Sequence, residues 1–172
     1  MPARRCIGVA ATILLVTVTP VAVAARLAGS PTLSVWATQA NAVCAPYVRA
    51  QHTSIALSPL QQAALQRLQT GVRLQAGDTM RLKSVAAQID RSAAINESMR
   101  KALTVLRPPA AAAQSVALGL SLVLRGTKIE YAAATALRKA DPRYAVFIKV
   151  ALGVYSQSNA VFARLGATEC AK

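Results

Sequence analysis

The sequence predicts an all-α protein, an up-and-down bundle of about four helices preceded by an N-terminal signal or anchor helix. Alanine is abundant, and apolar residues recur every three or four positions, which is the spacing of one helix face. No pair of alternating apolar and polar segments joined by a hairpin turn stands out. Ser58-Pro59 and Asp141-Pro142 each place a capping side chain before a proline, a combination that favours the start of a helix.

Residues 1–24 have the pattern of an export signal. Two arginines precede an uncharged apolar run, and Ala22-Val23-Ala24 supplies the small residues that signal peptidase requires. The run also approaches the length that spans a bilayer, so an uncleaved membrane anchor is the alternative. We expect cleavage after residue 24, a linker at residues 25–31 and one helical domain at residues 32–172, which is long enough for a single core.

A first helix is predicted over residues 32–55, with Trp36 and Cys44 among the side chains of its apolar side. Pro46 lies inside it. Because an interior proline removes a backbone hydrogen bond and clashes with the preceding turn, we expect a kink there or two shorter helices. Ser58-Pro59 then starts the next helix.

Residues 59–107 are expected to form either one long helix or two stacked helices. Their apolar residues keep a three-four spacing that the polar Gln75 and Thr79 interrupt. Breaks are most favoured at Gly77-Asp78 and at residues 90–92, since each offers a flexible or capping residue. The polar interruption favours the first of these two positions.

Pro108-Pro109 ends this segment and begins a third helix, which is expected to continue almost to Asp141-Pro142. Residues 109–124 carry no charge but are too few for a comfortable membrane span, which favours a buried core helix over a membrane-inserting one. Gly126 is expected to be a weak point or a turn. The last helix begins at Asp141-Pro142 and ends at Gly166, where glycine permits a left-handed turn.

The exported chain is strongly basic. The sequence has 20 Lys and Arg against 6 Asp and Glu, and loss of the two arginines in residues 1–24 leaves 18 against 6, a net charge of +12. Such a charge favours contact with anionic lipid or cell-wall polymer, although it also keeps a helical surface soluble. Eight basic residues from Arg67 to Arg107 should form a broad solvent-side band. Within it we predict an anionic-surface contact at Arg91, Arg100, Lys101 and Arg107.

Nucleic acid is not the expected partner. Export separates the chain from nucleic acid, and its basic residues are spread along the sequence without interleaved aromatic residues.

Cys44 and Cys170 lie near the two ends of the exported part, and no third thiol competes with them there. This predicts a disulfide that closes most of the domain into one loop. Two free thiols acting as metal ligands or as a redox pair are the alternative, but neither cysteine has a second thiol or a ligand cluster beside it in the sequence.

The sequence contains no recognisable catalytic or metal-binding motif. His52 is the single histidine, and the six acidic residues are scattered singly, with Asp78 and Asp141 placed as helix caps. No nucleophile elbow, phosphate-binding loop or zinc-spaced set of ligands is present in the sequence. We therefore expect no enzyme activity, no cofactor and no metal.

Three short motifs carry a resemblance to a known group: Asn41-Ala42-Val43-Cys44, the Leu-Arg-Pro-Pro sequence at residues 106–109, and residues 163–170 with their Leu-Gly step before the last cysteine. In this layout the chain resembles small exported, disulfide-clasped helical-bundle proteins of actinobacterial cell envelopes, most of them uncharacterised. The resemblance covers most of residues 33–170. It implies the same clasp between Cys44 and Cys170.

These observations predict a non-catalytic protein that is secreted or held in the cell envelope. It would be a binding or structural module whose basic surface meets anionic lipid, cell-wall polymer or an envelope protein. The alternative is a carrier of a lipid or other hydrophobic small molecule in the bundle core, with residues 116–124 lining the cavity. An uncleaved export segment would anchor the protein to the cytoplasmic membrane.

Overall fold

The structure, a computed structural model, describes residues 31–54 and 56–172. The predicted export signal and nearly all of the linker lie outside the described residues. The described part forms a bundle of five α-helices and two short 3-10 turns, so the all-α prediction is confirmed. The helices are α1 (Leu33–Ser54), α2 (Pro59–Thr70), α3 (Asp78–Thr104), α4 (Ala113–Arg138) and α5 (Tyr144–Arg164), and the turns are Ala110–Ala112 and Thr168–Ala171.

The helix start at Ser58-Pro59 is confirmed, and it forms a complete capping box. The Ser58 hydroxyl accepts a hydrogen bond from the Gln61 N–H at 3.3 Å, and the Gln61 Oε1 accepts one from the Ser58 N–H at 2.8 Å. Two amides that a helix leaves unpaired are thereby satisfied within four residues. This explains why a purely local signal located the start of α2.

Residues 59–107 form two helices, and the break between them ends at Gly77-Asp78, the break position that the sequence pattern favoured. Gly71 ends α2 in the left-handed region with φ of 70°, and Gly77 precedes α3 with φ of 84°. The chain between them is a loop, so the alternative of one long helix over residues 59–107 is wrong. Val72 is 57% exposed for the same reason.

α1 runs through Pro46 as one helix, so of the two expected outcomes there, a kink or two shorter helices, the second is wrong. Trp36 and Cys44 are fully buried before the proline, and Gln51 donates a 2.6 Å hydrogen bond to Ser92 of α3 after it. Tertiary contacts therefore hold both halves of α1, which offsets the hydrogen bond that the proline removes.

α4 and α5 form an antiparallel hairpin in which glycine allows the helices to approach closely. A Cβ at Gly126 would lie 2.6 Å from the Tyr155 ring, and one at Gly119 would lie 3.0 Å from the Phe162 ring. Ser158 also donates a hydrogen bond to the Gly119 carbonyl at 3.1 Å. Gly126 is thus a packing contact inside a continuous helix, and the expectation of a turn there is wrong.

The start and end of α5 agree closely with the sequence. Asp141 accepts a hydrogen bond from the Arg143 N–H at 2.9 Å just before the helix begins at Tyr144. Gly166 follows the helix with φ of 78°, the left-handed conformation expected there.

Two apolar clusters fill the bundle. One surrounds the disulfide and includes Trp36, Leu103, Val116 and Phe162. The other lies towards the opposite end and includes Leu68, Leu82, Ile89, Leu137 and Tyr144. Along α3 and α4, buried polar side chains separate these clusters, namely Ser92, Thr127 and Glu130. We refer to the region they occupy as the polar layer.

The predicted disulfide is present. Cys44 and Cys170 are joined across a sequence separation of 126 residues, with 5.1 Å between their Cα atoms. Asn41, one helical turn before Cys44, donates to the Gly166 carbonyl at 3.1 Å and accepts from the Glu169 N–H at 2.8 Å. The asparagine and the cysteine of the Asn41–Cys44 motif therefore hold the same C-terminal segment against α1. The alternative of two free thiols is wrong.

Asp78 is the centre of an ion-pair cluster, so its prediction as a helix cap needs correction. Its buried carboxylate accepts two hydrogen bonds from the Arg67 guanidinium, at 2.7 and 2.8 Å, and one from Arg81 at 2.9 Å. It also accepts the Gln75 N–H at 2.8 Å. This set joins the end of α2, the loop and the start of α3, and Gly77 occupies the capping position.

Candidate functional site

The four residues predicted to contact an anionic surface do not form one patch. Arg91 and Arg100 are nine residues apart on α3, so they project roughly 180° from each other around the helix. Arg100 and Lys101 both pair with Glu97, at 2.8 and 3.7 Å, whereas Arg91 and the exposed Arg107 form no salt bridge with any described residue. A contact at these positions remains a prediction, and one flat surface could not engage all four.

A more uniform basic surface lies on the outward sides of α4 and α5. From residue 113 to residue 164, all seven basic side chains are exposed: Arg125, Lys128, Arg138, Lys139, Arg143, Lys149 and Arg164. The two acidic residues of this stretch are Glu130, which is buried, and Asp141, which pairs with Arg143. Arg138 pairs with Asp90 of α3. The other five basic side chains form no salt bridge within the described part of the chain.

Exposed apolar side chains share these outward sides. On α4, Leu118 is 51% exposed and projects within roughly 80° of Arg125, Lys128 and Lys139. On α5, exposed Val146 and Val150 project within roughly 100° of Lys149 and Arg164. We call these eight residues the α4–α5 face. It combines cations with uncovered hydrocarbon.

A groove lies where the end of α4 meets the start of α5, next to Lys139 of the α4–α5 face. The groove has a volume of about 390 Å3 and is lined by Tyr131 of α4, by Lys139 just after that helix, and by Arg143 and Phe147 at the start of α5. α5 is also the one described helix that is long and apolar enough to cross a bilayer by length and composition, with a mean hydropathy of 1.2. The segment predicted to be a buried core helix, residues 109–124, is buried only in part: Val116 and Val123 lie in the core, whereas Leu118 is 51% exposed.

A second feature is a cleft of about 520 Å3 between α1, α3 and α5, next to the disulfide. Its walls include His52, Asn96, Met99, Leu152 and Tyr155. Of residues 116–124, which the carrier alternative placed along the ligand cavity, Val123 alone lines this cleft. His52, the single histidine, lies at this opening with its side chain exposed.

The polar layer forms the inner wall of this cleft. Glu130 is its centre and accepts hydrogen bonds from Ser92 at 3.2 Å, Asn96 at 3.2 Å and Tyr155 at 2.7 Å. Ser92 in turn accepts the Gln51 amide at 2.6 Å. One hydrogen-bonded network thus joins α1, α3, α4 and α5, and its members Gln51, Asn96 and Tyr155 reach the cleft.

Burial controls the ionisation of this network. Removal of the Glu130 carboxyl from water raises its pKa, although the hydrogen bonds from Tyr155, Asn96 and Ser92 act in the opposite direction. The pKa of Tyr155 is raised well above its ordinary value, first by burial and then by the neighbouring Glu130. Tyr155 is therefore a hydrogen-bond donor to Glu130 throughout the physiological pH range.

This network was not predicted from the sequence, although the sequence contains one signal for it. Val116, Val123, Glu130 and Leu137 follow one another at intervals of seven residues, so an acid occupies a position of the buried apolar series. The partners of Glu130 lie on other helices, and no local pattern marks them.

Glu130 and Asp78 predict opposite effects of pH on stability. The Arg67 hydrogen bonds hold the pKa of Asp78 well below its usual range. The contribution of Asp78 to the free energy of unfolding is therefore present above the ordinary carboxyl pKa and is lost as the pH falls. The pKa of Glu130 is raised. The contribution of Glu130 to the free energy of unfolding is therefore fully present in acid and is lost as the pH rises through the folded-state pKa.

We therefore expect the stability difference between the wild type and Asp78→Asn to grow from acid to neutral pH, and the difference between the wild type and Glu130→Gln to shrink. Urea unfolding of the three proteins over a pH series measures both differences. Parallel pH curves for all three proteins would contradict the assignment of these two carboxyls.

Comparison with known proteins finds no matching family, no similar curated protein and no similar solved structure. The site residues and their geometry are therefore the basis for a functional proposal.

Proposed function

We propose that this chain is a non-catalytic, exported cell-envelope protein that binds the surface of an anionic lipid membrane through the α4–α5 face. The observation that carries the proposal is the combination of five cations that form no salt bridge with a described residue and exposed Leu118, Val146 and Val150 on two adjacent helices. Secretion into the envelope and the choice between a cleaved signal and a retained anchor rest on the sequence of residues 1–24.

Charge supplies the attraction in this proposal. A basic residue near an anionic bilayer contributes on the order of 1 kcal/mol, and this contribution weakens as salt screens it. The α4–α5 face carries Arg125, Lys128, Lys139, Lys149 and Arg164 without a salt bridge to any described residue. Several such charges acting together suffice for measurable partitioning.

The exposed apolar side chains favour lipid over the other anionic partners. Val146 is 62% and Val150 43% exposed, and neither can hydrogen-bond a hydrated polymer. An interfacial helix buries such side chains at the boundary between head groups and acyl chains while its cations remain at the head groups. A soluble polyanion would use the cations alone and would leave the two valines in water.

Vesicle binding by matched charge variants tests this function. The first variant has Arg125, Lys128, Lys139 and Lys149 changed to glutamine. The second has the residues of the sequence-based prediction, Arg91, Arg100, Lys101 and Arg107, changed to glutamine. Both lose four charges, so they differ in the location of the charge and not in its amount. We expect the first variant to lose at least tenfold in partitioning onto vesicles rich in phosphatidylglycerol, and the second to lose much less.

All proteins are purified as the exported product, so any retained export segment contributes equally to each of them. Vesicles of zwitterionic lipid alone measure that contribution. A larger loss in the second variant would move the contact to α3 and contradict the α4–α5 face. Equal losses in both variants would show that only net charge matters. Binding to soluble polyphosphate that matches vesicle binding, and is unchanged by Val146→Ser with Val150→Ser, would favour a polymer partner instead.

A further inference from the structure

The cleft beside the disulfide has the size and shape of a small-molecule site. Its volume of about 520 Å3 falls in the range of roughly 300–1,000 Å3 that is usual for ligand pockets. Four helices meet at its inner wall through the Glu130 network, and the disulfide-held segment contributes Cys170 and Ala171. Its wall is therefore fixed by packing, hydrogen bonds and a covalent bond.

The walls of the cleft divide into an apolar part and a hydrogen-bonding part. Met99, Val123 and Leu152 supply hydrocarbon. Asn96, Ser156 and Asn159 supply amide and hydroxyl groups. Both N–H groups of Asn96 are directed to Glu130 and Tyr155, whereas its carbonyl oxygen accepts no hydrogen bond from the described residues. A ligand that fits both parts has an apolar body and a polar head.

The charges around the cleft favour a neutral head group. Glu130 lies directly behind Asn96 and Tyr155 and accepts hydrogen bonds from both, so this wall offers no basic partner to an anion. A cation would not find a free carboxylate either, because both Glu130 oxygens already accept hydrogen bonds. Lys172 at the rim pairs with Glu169. A buried charge without a partner is costly, whereas a neutral head can satisfy amides and hydroxyls.

We infer that this cleft binds a neutral amphipathic small molecule, with its apolar body against Met99 and Leu152 and a head group that exchanges hydrogen bonds with Asn96 and Asn159. The site differs from the α4–α5 face, since Leu152, Ser156 and Asn159 project from another side of α5 than Val146 and Val150. It therefore does not depend on the proposed membrane contact.

A titration with three probes tests the inference. Octanol, octanoate and octylammonium share one alkyl chain and differ in the charge of the head group. Nuclear magnetic resonance of the side-chain amides of Asn96 and Asn159 follows the binding of each probe to the exported protein in solution without vesicles. We expect octanol to bind saturably and at least tenfold more tightly than either charged probe.

Adjacent residues on α5 provide the matched variants. Ser156 and Gln157 are both exposed, but Ser156 lines the cleft and Gln157 does not. Ser156→Trp should fill the cleft and weaken octanol binding at least tenfold, whereas Gln157→Trp should leave it unchanged. Absence of saturable binding, equal affinity for all three probes, or equal effects of the two tryptophans would each overturn the inference.

Discussion

Removal of the Cys44–Cys170 bond is expected to lower the free energy of unfolding by about 2–5 kcal/mol. The bond closes a loop of 126 residues by sequence separation, for which the chain-entropy argument gives a value near the upper end of that range. Urea unfolding of the wild type, oxidised and reduced, and of the variant with both cysteines changed to alanine measures the effect. The stability of the variant should match that of the reduced wild type.

Local contacts decide where the reduced protein loosens first. The segment after Gly166 would then be held by Asn41, through its bonds to the Gly166 carbonyl and the Glu169 N–H, and by the packing of Ala167 and Cys170 in the core. Amide hydrogen exchange should accelerate there before it does in α3. Equal stability of oxidised and reduced protein, or rapid thiol labelling of both cysteines without a reductant, would contradict the clasp.

Replacement of Gly126 by alanine is expected to destabilise the protein by about 1–3 kcal/mol, the usual effect of overpacking. The new Cβ would lie 2.6 Å from the Tyr155 ring, so α4 and α5 must separate or the ring must move. Movement of the ring would also lengthen its 2.7 Å hydrogen bond to Glu130. Thermal unfolding of the variant measures the loss.

Gly153 provides the matched control. It lies within α5 and would place a Cβ in open space, with nothing within 4 Å. Alanine there should stabilise the helix by about 0.5–1 kcal/mol, because it removes the conformational freedom of glycine from the unfolded chain. Changes of the same sign and size in both variants would show that helix propensity alone acts at Gly126.

The sequence predicted those parts of the fold that depend on local chemistry. Ser58 and Gln61 satisfy their own amides within one turn, and Gly166 adopts a left-handed conformation that few other residues tolerate. The disulfide was also predictable, because residues 25–172 contain two cysteines and no others. Such features need no knowledge of how the helices pack.

The remaining features depend on contacts between distant residues. A glycine within a helical pattern indicates either a break in the helix or a close approach of a neighbouring helix. Only the position of Tyr155 shows that Gly126 allows a close approach of α5. Likewise, Asp78 resembles a helix cap until Arg67 is seen beside it. The four residues predicted to contact an anionic surface do not share one face, because helical rotation sends Arg91 and Arg100 to opposite sides of α3.

The depth of α5 in a lipid bilayer is a direct test of the proposed membrane contact through the α4–α5 face. Tryptophan is placed at Val146, on the α4–α5 face, or at Val105, which is 79% exposed just beyond α3. The native Trp36 is buried and common to both variants, so its emission serves as the background. On vesicles that contain brominated phosphatidylglycerol, the bromine should quench the tryptophan at residue 146 strongly and the one at residue 105 little. Equal quenching at both positions, or no quenching at residue 146 in protein that is bound, would contradict a membrane contact through α4 and α5.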